Sequence, residues 1–133
     1  LDMQIGREDT PEQYIDRLVE VFRELRRVLK DDGTFWLNIA DTYCGTGMKA
    51  GCKQKDLIGI PWLLAFSLRE QGWYLRSDII WQKQNPMPES CKDRPTRCYE
   101  HIFLLSKEKA RTGVSKVCAD NKSPFSATRD KRA

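Results

Sequence analysis

The stretch DIIWQKQNPMPES, Asp78 to Ser90, passes from an apolar run ending at Trp81 into a polar loop that carries Lys83, Asn85, Pro86 and Pro88. An asparagine amide beside proline has two uses. It caps a turn, or it presents a donor and an acceptor to a ligand. A second polar stretch, DTYCGTG from Asp41 to Gly47, also follows an apolar run. Glycines there would let backbone approach a cofactor if a helix amino end stood directly behind them. The next helical pattern begins about a dozen residues later, beyond Lys49, Lys53 and Lys55, which fits a surface loop better than a cofactor cradle. Those lysines suit a phosphate backbone. Asp41 serves as well in a turn as beside a ligand.

The elements that must position these loops are readable from periodicity. Thr10-Pro11-Glu12-Gln13 is a helix start, with a hydroxyl cap, proline in the first turn and Gln13 placed for a capping box. Tyr14, Leu18, Val21, Phe22, Leu25, Val28 and Leu29 then repeat at threes and fours as one buried stripe. Asp31-Asp32-Gly33 ends the helix with a residue tolerant of positive φ. TFWLNIA, Thr34 to Ala40, is short, β-prone and apolar enough for a strand covered on both faces. A second helix fits Ile60 to Gln71, with Pro61 in its first turn and Gly72 at its end. Strands are expected at Trp73 to Trp81 and His101 to Ser106. With no helical pattern between them, the last strand is expected to be antiparallel, at the edge of an otherwise doubly wound α/β sheet. Such sheets bind ligands at the carboxyl ends of their strands, which nominates the loops after Ala40 and after Gln82.

The bulk composition narrows the class. At 133 residues, 40% of them apolar, the chain is expected to be one globular domain over residues 1–107, with a polar tail from 108 to 133 that is irregular or a continuation in need of missing neighbours. No run of about 18 apolar residues or opening signal peptide is present, so a cytoplasmic protein with no membrane segment is expected. The net charge of +4 is a mild excess, compatible with an acidic partner or simply with a solvated face. Five cysteines contain no C-x-x-C pair and the single histidine is His101, so no metal site is expected and the thiols should be reduced. A Cys44 or Cys52 nucleophile is the reading that a different α/β enzyme would need. Trp36, Trp62, Trp73 and Trp81 are expected to pack in the core or between helix and sheet.

Three blocks, TPEQYIDRLVEVFRELRRVLKDDGTFWLNIADTY, KQKDLIGIPWLLAFSLREQGWYLRSDIIWQKQNPMPES and RCYEHIFLLSK, together resemble the site-specific DNA amino-methyltransferases of bacteria and phages. The resemblance spans about Thr10 to Lys107. It implies a partial Rossmann-like sheet with flanking helices, and transfer of a methyl group from S-adenosylmethionine to cytosine N4 or adenine N6, often beside a restriction enzyme. It also implies double-stranded DNA as partner. In that family the catalytic Pro-Pro-aromatic loop precedes the first helix, and the loop after DIIWQK is a later Lys-x-Asn-Pro element on the target-base side. Lys83, Asn85 and Pro86 match that element, whereas Met87 separates the two prolines and no aromatic follows, so NPMP is not the catalytic loop.

No Pro-Pro pair and no Phe-x-Gly-x-Gly cofactor loop occur in the chain. The resemblance therefore implies the central part of a methylase, with no catalytic residue in this chain, weak or absent cofactor binding, and no activity alone. By the same resemblance Lys83, Asn85 and Pro86 line the target-base pocket, and Asp41 and Tyr43 approach the cofactor or the base. Lys49, Lys53, Lys55, Arg94 and Thr96 contact DNA phosphate, or else form a solvated surface, and Arg94 and Thr96 in their Asp-Arg-x-Thr block have the further alternative of ordering the loop. The family's usual His-Glu-Tyr is reversed here to Tyr99-Glu100-His101, which makes His101 a strand residue. The alternative is a non-catalytic nucleic-acid-binding or interaction module on the same scaffold. An incomplete sheet further implies a free strand edge through which two copies could pair.

Overall fold

The computed structural model describes residues 4–45 and 53–109; Gly47, Lys49, Cys52 and nearly all of the expected tail lie outside the described residues. The architecture is α/β, two helices on one face of a three-stranded antiparallel sheet. Helix α1 spans Pro11–Val28. Its start follows the sequence signal: the Gln13 N–H donates to Thr10 Oγ1 at 3.3 Å, and Pro11 occupies the first turn, where no N–H is needed.

The stripe it buries is rotated from the expected one. Ile15 and Val19 are buried, with Tyr14, Leu18, Phe22 and Leu29 packed beside them, while Val21 and Val28 face solvent. Apolar residues on both sides of α1 blur the phase, and the core selects the side that includes Ile15. The helix stops at Val28, where Leu29 turns to extended backbone. Gly33 does not adopt positive φ. It is needed because a Cβ there would stand 2.5 Å from Leu29 Cγ.

Strand β1 spans Thr34–Ile39, helix α2 Ile60–Glu70, strand β2 Tyr74–Gln82 and strand β3 Tyr99–Ser106. Gly59 and Gly72, at φ 83° and 90°, bracket α2 in the left-handed region that glycine reaches without strain. The sheet order is β1-β3-β2, and β3 pairs antiparallel with both neighbours. The antiparallel strand expected at the edge is thus central. A long loop, residues 83–98, leads β3 back from β2 to lie between two strands that are parallel to one another.

Leu37, Phe103 and Leu105 meet Ile15, Val19, Leu64 and Leu68 in a single core, with Trp73 at its end. Both helices share one side, so β1 is covered on one face only, contrary to expectation. Trp36 on the opposite face is 54% exposed, and Trp81 on β2 is 56% exposed, so neither is a core residue. Trp62 stands edge-on to His101 and Phe103, with ring centroids at 5.5 and 5.2 Å. His101 is a strand residue, as expected, and its Nδ1 lies 3.0 Å from Asp78 Oδ1.

One irregularity sets the orientation of β2. Leu75 pairs with Leu105, but Ser77 pairs with Leu104, leaving Arg76 as the extra residue of a β-bulge. Beyond it Asp78 and Ile80 turn toward the helices, and Ile79 and Trp81 turn away.

The rotated stripe is tested by truncation. Ile15→Ala is expected to cost about 2–5 kcal/mol of unfolding free energy, whereas Val28→Ala should stay within about 0.5 kcal/mol. Urea denaturation of the two variants checks the order.

Candidate functional site

Because β1 and β2 both oppose β3, their carboxyl ends lie at the same end of the sheet, where β3 begins. A cleft of about 240 Å³ opens there, lined by Ala40, Asp41, Lys83, Pro86, Met87, Pro88, Glu89, Arg97, Tyr99 and Glu100. It joins the two loops nominated from sequence. Asn85 is exposed beside it, one residue before Pro86. A larger open groove of about 540 Å³ lies by the start of α1, lined by Gln4, Arg7, Glu8 and neighbouring charged residues, and includes none of the nominated ones.

Each wall of the cleft is held by specific polar contacts. Asp41 closes the β1 side: its Oδ1 accepts from the backbone N–H of Thr42, Gly59 and Ile60 at 2.9, 2.9 and 3.0 Å. One carboxylate thereby caps the amino end of α2 from outside the helix, where negative charge is favoured by the helix dipole. Beyond it, Thr42 to Cys44 pair with Lys55 to Ile58 through Cys44 N to Asp56 O, Lys55 N to Cys44 O and Ile58 N to Thr42 O, all at 2.8–3.0 Å. The two arms of the glycine-dotted stretch are therefore a ladder that folds back on itself before α2. Cys44, in that ladder, is disulfide-bonded, against the expectation of reduced thiols, while Cys91 and Cys98 are free.

On the β2 side Lys83 forms an ion pair with Glu100, and Asn38 Nδ2 donates to the same carboxylate at 3.2 Å. The Lys83 N–H donates to Cys98 O at 2.7 Å, closing the neck of the loop. The Lys83 hydrogen bond, then that of Asn38, hold the Glu100 carboxyl below its ordinary value of 4.5, against a smaller opposing effect of desolvation.

Of the residues nominated for phosphate, Lys53 and Thr96 are exposed. Lys55 Nζ pairs with Asp93 at 2.9 Å, an ion pair that lowers the aspartate and raises the lysine. Arg94 lies over the Tyr43 ring and donates to Glu89 at 3.2 Å. Glu89, Arg97 and Asn38 were not singled out from sequence, and Tyr99 and Glu100 entered only as part of the reversed Tyr99-Glu100-His101 order. The nearest signal was the charge of Glu100 inside an apolar strand run, whose partner could not be read without the register.

A family model described as DNA methylase matches residues 2–132. The chain belongs to the DNA methylase family. Among its relatives, the Type II methyltransferase M.SmaI of Serratia marcescens is 52% identical over 126 aligned positions, which cover 80% of this chain and 43% of the relative. M.Cfr9I of Citrobacter freundii is 51% identical, with 80% and 42% covered. M.MwoI of Methanothermobacter wolfeii is 50% identical over 104 positions, 78% of this chain and 15% of the longer relative. The methylase chain thus spans about two-fifths of the length of the first two relatives. Among the described residues no helix is long and apolar enough to cross a membrane.

Two outcomes follow from the geometry. Asp41→Ala removes the acceptor shared by three N–H groups and is expected to cost about 1–2 kcal/mol, with Asp41→Asn milder; thermal unfolding distinguishes them. Glu100, lowered in the folded state, stabilises fully above the ordinary glutamate value of 4.5. That contribution is lost as pH falls through the depressed folded value. A pH series of unfolding free energy should show this acid loss in the native chain and a smaller one in Glu100→Gln.

Proposed function

We propose that this chain supplies the target-base side of an S-adenosylmethionine-dependent DNA amino-methyltransferase acting on cytosine N4 or adenine N6. The observation that carries the reading is the cleft where Asp41, Lys83 and Pro86 meet at the carboxyl ends of two parallel-running strands. The likeness to Type II methyltransferases supports it. A Rossmann-like continuation of the sheet belongs to the same proposal. Among the described residues the outer edges of β1 and β2 carry no further strand, and pairing of two copies through such an edge is proposed with it.

An exocyclic amine is a weak nucleophile because its lone pair is delocalised into the ring. Acceptors placed around the amine localise that pair and aim it at the methyl group. The base first leaves the duplex and is held by stacking and edge contacts. In this reading the exposed Asn85 amide meets the Watson–Crick edge of the flipped base, and Pro86 with Met87 gives the ring an apolar wall. Lys83, fixed by Glu100, sets the neck of the loop. Lys49, Lys53, Lys55 and Thr96 are proposed to face the phosphate backbone, whose contacts position the protein without reading sequence, while Arg94 is turned onto the Tyr43 ring instead.

The described residues do not fit the cofactor itself. Asp41 already fills the amino end of α2 with a carboxylate, and the Thr42–Cys44 ladder folds back before that helix begins. No step is derived through S-adenosylmethionine from these groups.

The test replaces the corresponding region of the Serratia marcescens relative with residues 10–107 and measures transfer of labelled methyl groups to duplex DNA. The hybrid should be active, and the 133-residue chain alone inactive and unsaturable by the cofactor. Asn85→Ala in the hybrid should lower kcat about tenfold or more with little change in KM for DNA. An inactive hybrid that folds and binds DNA would overturn the reading.

A further inference from the structure

Arg94 is placed unlike a solvent-facing phosphate ligand. Its guanidinium carbon stands 3.6 Å from the centroid of the Tyr43 ring, and its side chain is only 22% exposed. Nη2 donates to Glu89 at 3.2 Å, and Nε is buried without a hydrogen-bond partner. The flat cation, which also has Asp93 at 3.9 Å from Nη1, lies against the ring face in the geometry in which a partly desolvated cation and an aromatic quadrupole attract. Tyr43 belongs to the ladder after β1, whereas Arg94 and Glu89 belong to the loop after β2. Lys55 and Asp93 make a second tie across the same gap at 2.9 Å.

We propose that Arg94 is a positioning residue, a cation–π latch that clamps the loop carrying Lys83, Asn85 and Pro86 onto Tyr43. The latch makes the two walls of the cleft one unit. This rests on the base-pocket reading for its purpose but not for its test. Arginine suits the place and lysine does not, because stacking needs a planar cation and the Glu89 contact needs a second nitrogen. A hydroxyl on the ring adds nothing to the stack, so phenylalanine should replace Tyr43 where leucine cannot.

Amide hydrogen exchange on the intact 133-residue chain, read at Lys83 and Arg97 with β3 as internal reference, tests it. Arg94→Ala and Tyr43→Leu should each speed exchange at those two amides about tenfold while β3 keeps its protection, and Tyr43→Phe should restore it. Combining Arg94→Ala with Tyr43→Leu should speed exchange by less than the product of the two single effects, since the stack is lost in either case while the Glu89 contact is lost only with Arg94. If Arg94→Ala unfolds the chain, Arg94→Lys gives the reading, with the same local rise expected. Native exchange in Arg94→Lys and Tyr43→Leu would overturn the latch, as would Tyr43→Phe loosening the loop as much as leucine. Exchange is read without methyl transfer, so an inactive hybrid would count against the functional reading alone.

Discussion

Everything in this domain hangs on β3 being hydrogen-bonded along both edges. A strand with two antiparallel neighbours satisfies its backbone groups within the sheet and can be buried without cost from unpaired amides. The last four residues of β3, Phe103 to Ser106, are buried accordingly. The helices pack on the alternate side chains of that strand, and the polar loops collect at its beginning. Its first residues, Tyr99 and Glu100, enter the cleft, and its later ones fill the core. One strand therefore joins the apolar core at one end to the polar cleft at the other.

The cleft is built by groups whose charges are used internally. Asp41 anchors the start of α2, Glu100 holds Lys83, Asp93 holds Lys55 and Glu89 holds Arg94. Exposed ion pairs of this kind contribute little to global stability one by one. Their value is geometric: Asp41 ties the loop after β1 to α2, Glu100 ties Lys83 to β3, and Lys55 with Asp93 ties the two loops to one another. Placing the loop after β2 on such ties lets the apolar core remain indifferent to the loop's sequence.

Much of this was legible before any coordinates. Thr10-Pro11 and Gly72 punctuate their helices through local chemistry alone, and β2 and β3 lie within two residues of the runs expected for them. Lys83, Pro86 and Asp41 do converge on one cleft. What escaped was non-local. The phase of the α1 stripe depended on which of two apolar sides met the sheet. The central place of β3 depended on where a return strand inserts, a choice that periodicity does not encode. The partners of Glu100, Arg94 and Asp41 lie 17 to 62 residues away or across a loop, so residue type suggested a role without naming the contact. Trp36 and Trp81 read as core because tryptophan usually is, yet they lie on the face without helices.

The extra residue in β2 has a consequence for how this family's sequences should be compared. Side chains in a strand alternate with a period of two, so Arg76 acts as a parity change. Without it, Ile79 and Trp81 would turn toward the helices, and Asp78 would leave His101. A one-residue gap placed there in an alignment is therefore not a minor length difference in an exposed edge strand. It exchanges the two faces of everything downstream, up to the neck of the loop at Lys83. Two sequences that look alike on either side of that position can present opposite sets of side chains, and the register of the bulge has to be settled before any residue of the following loop is compared.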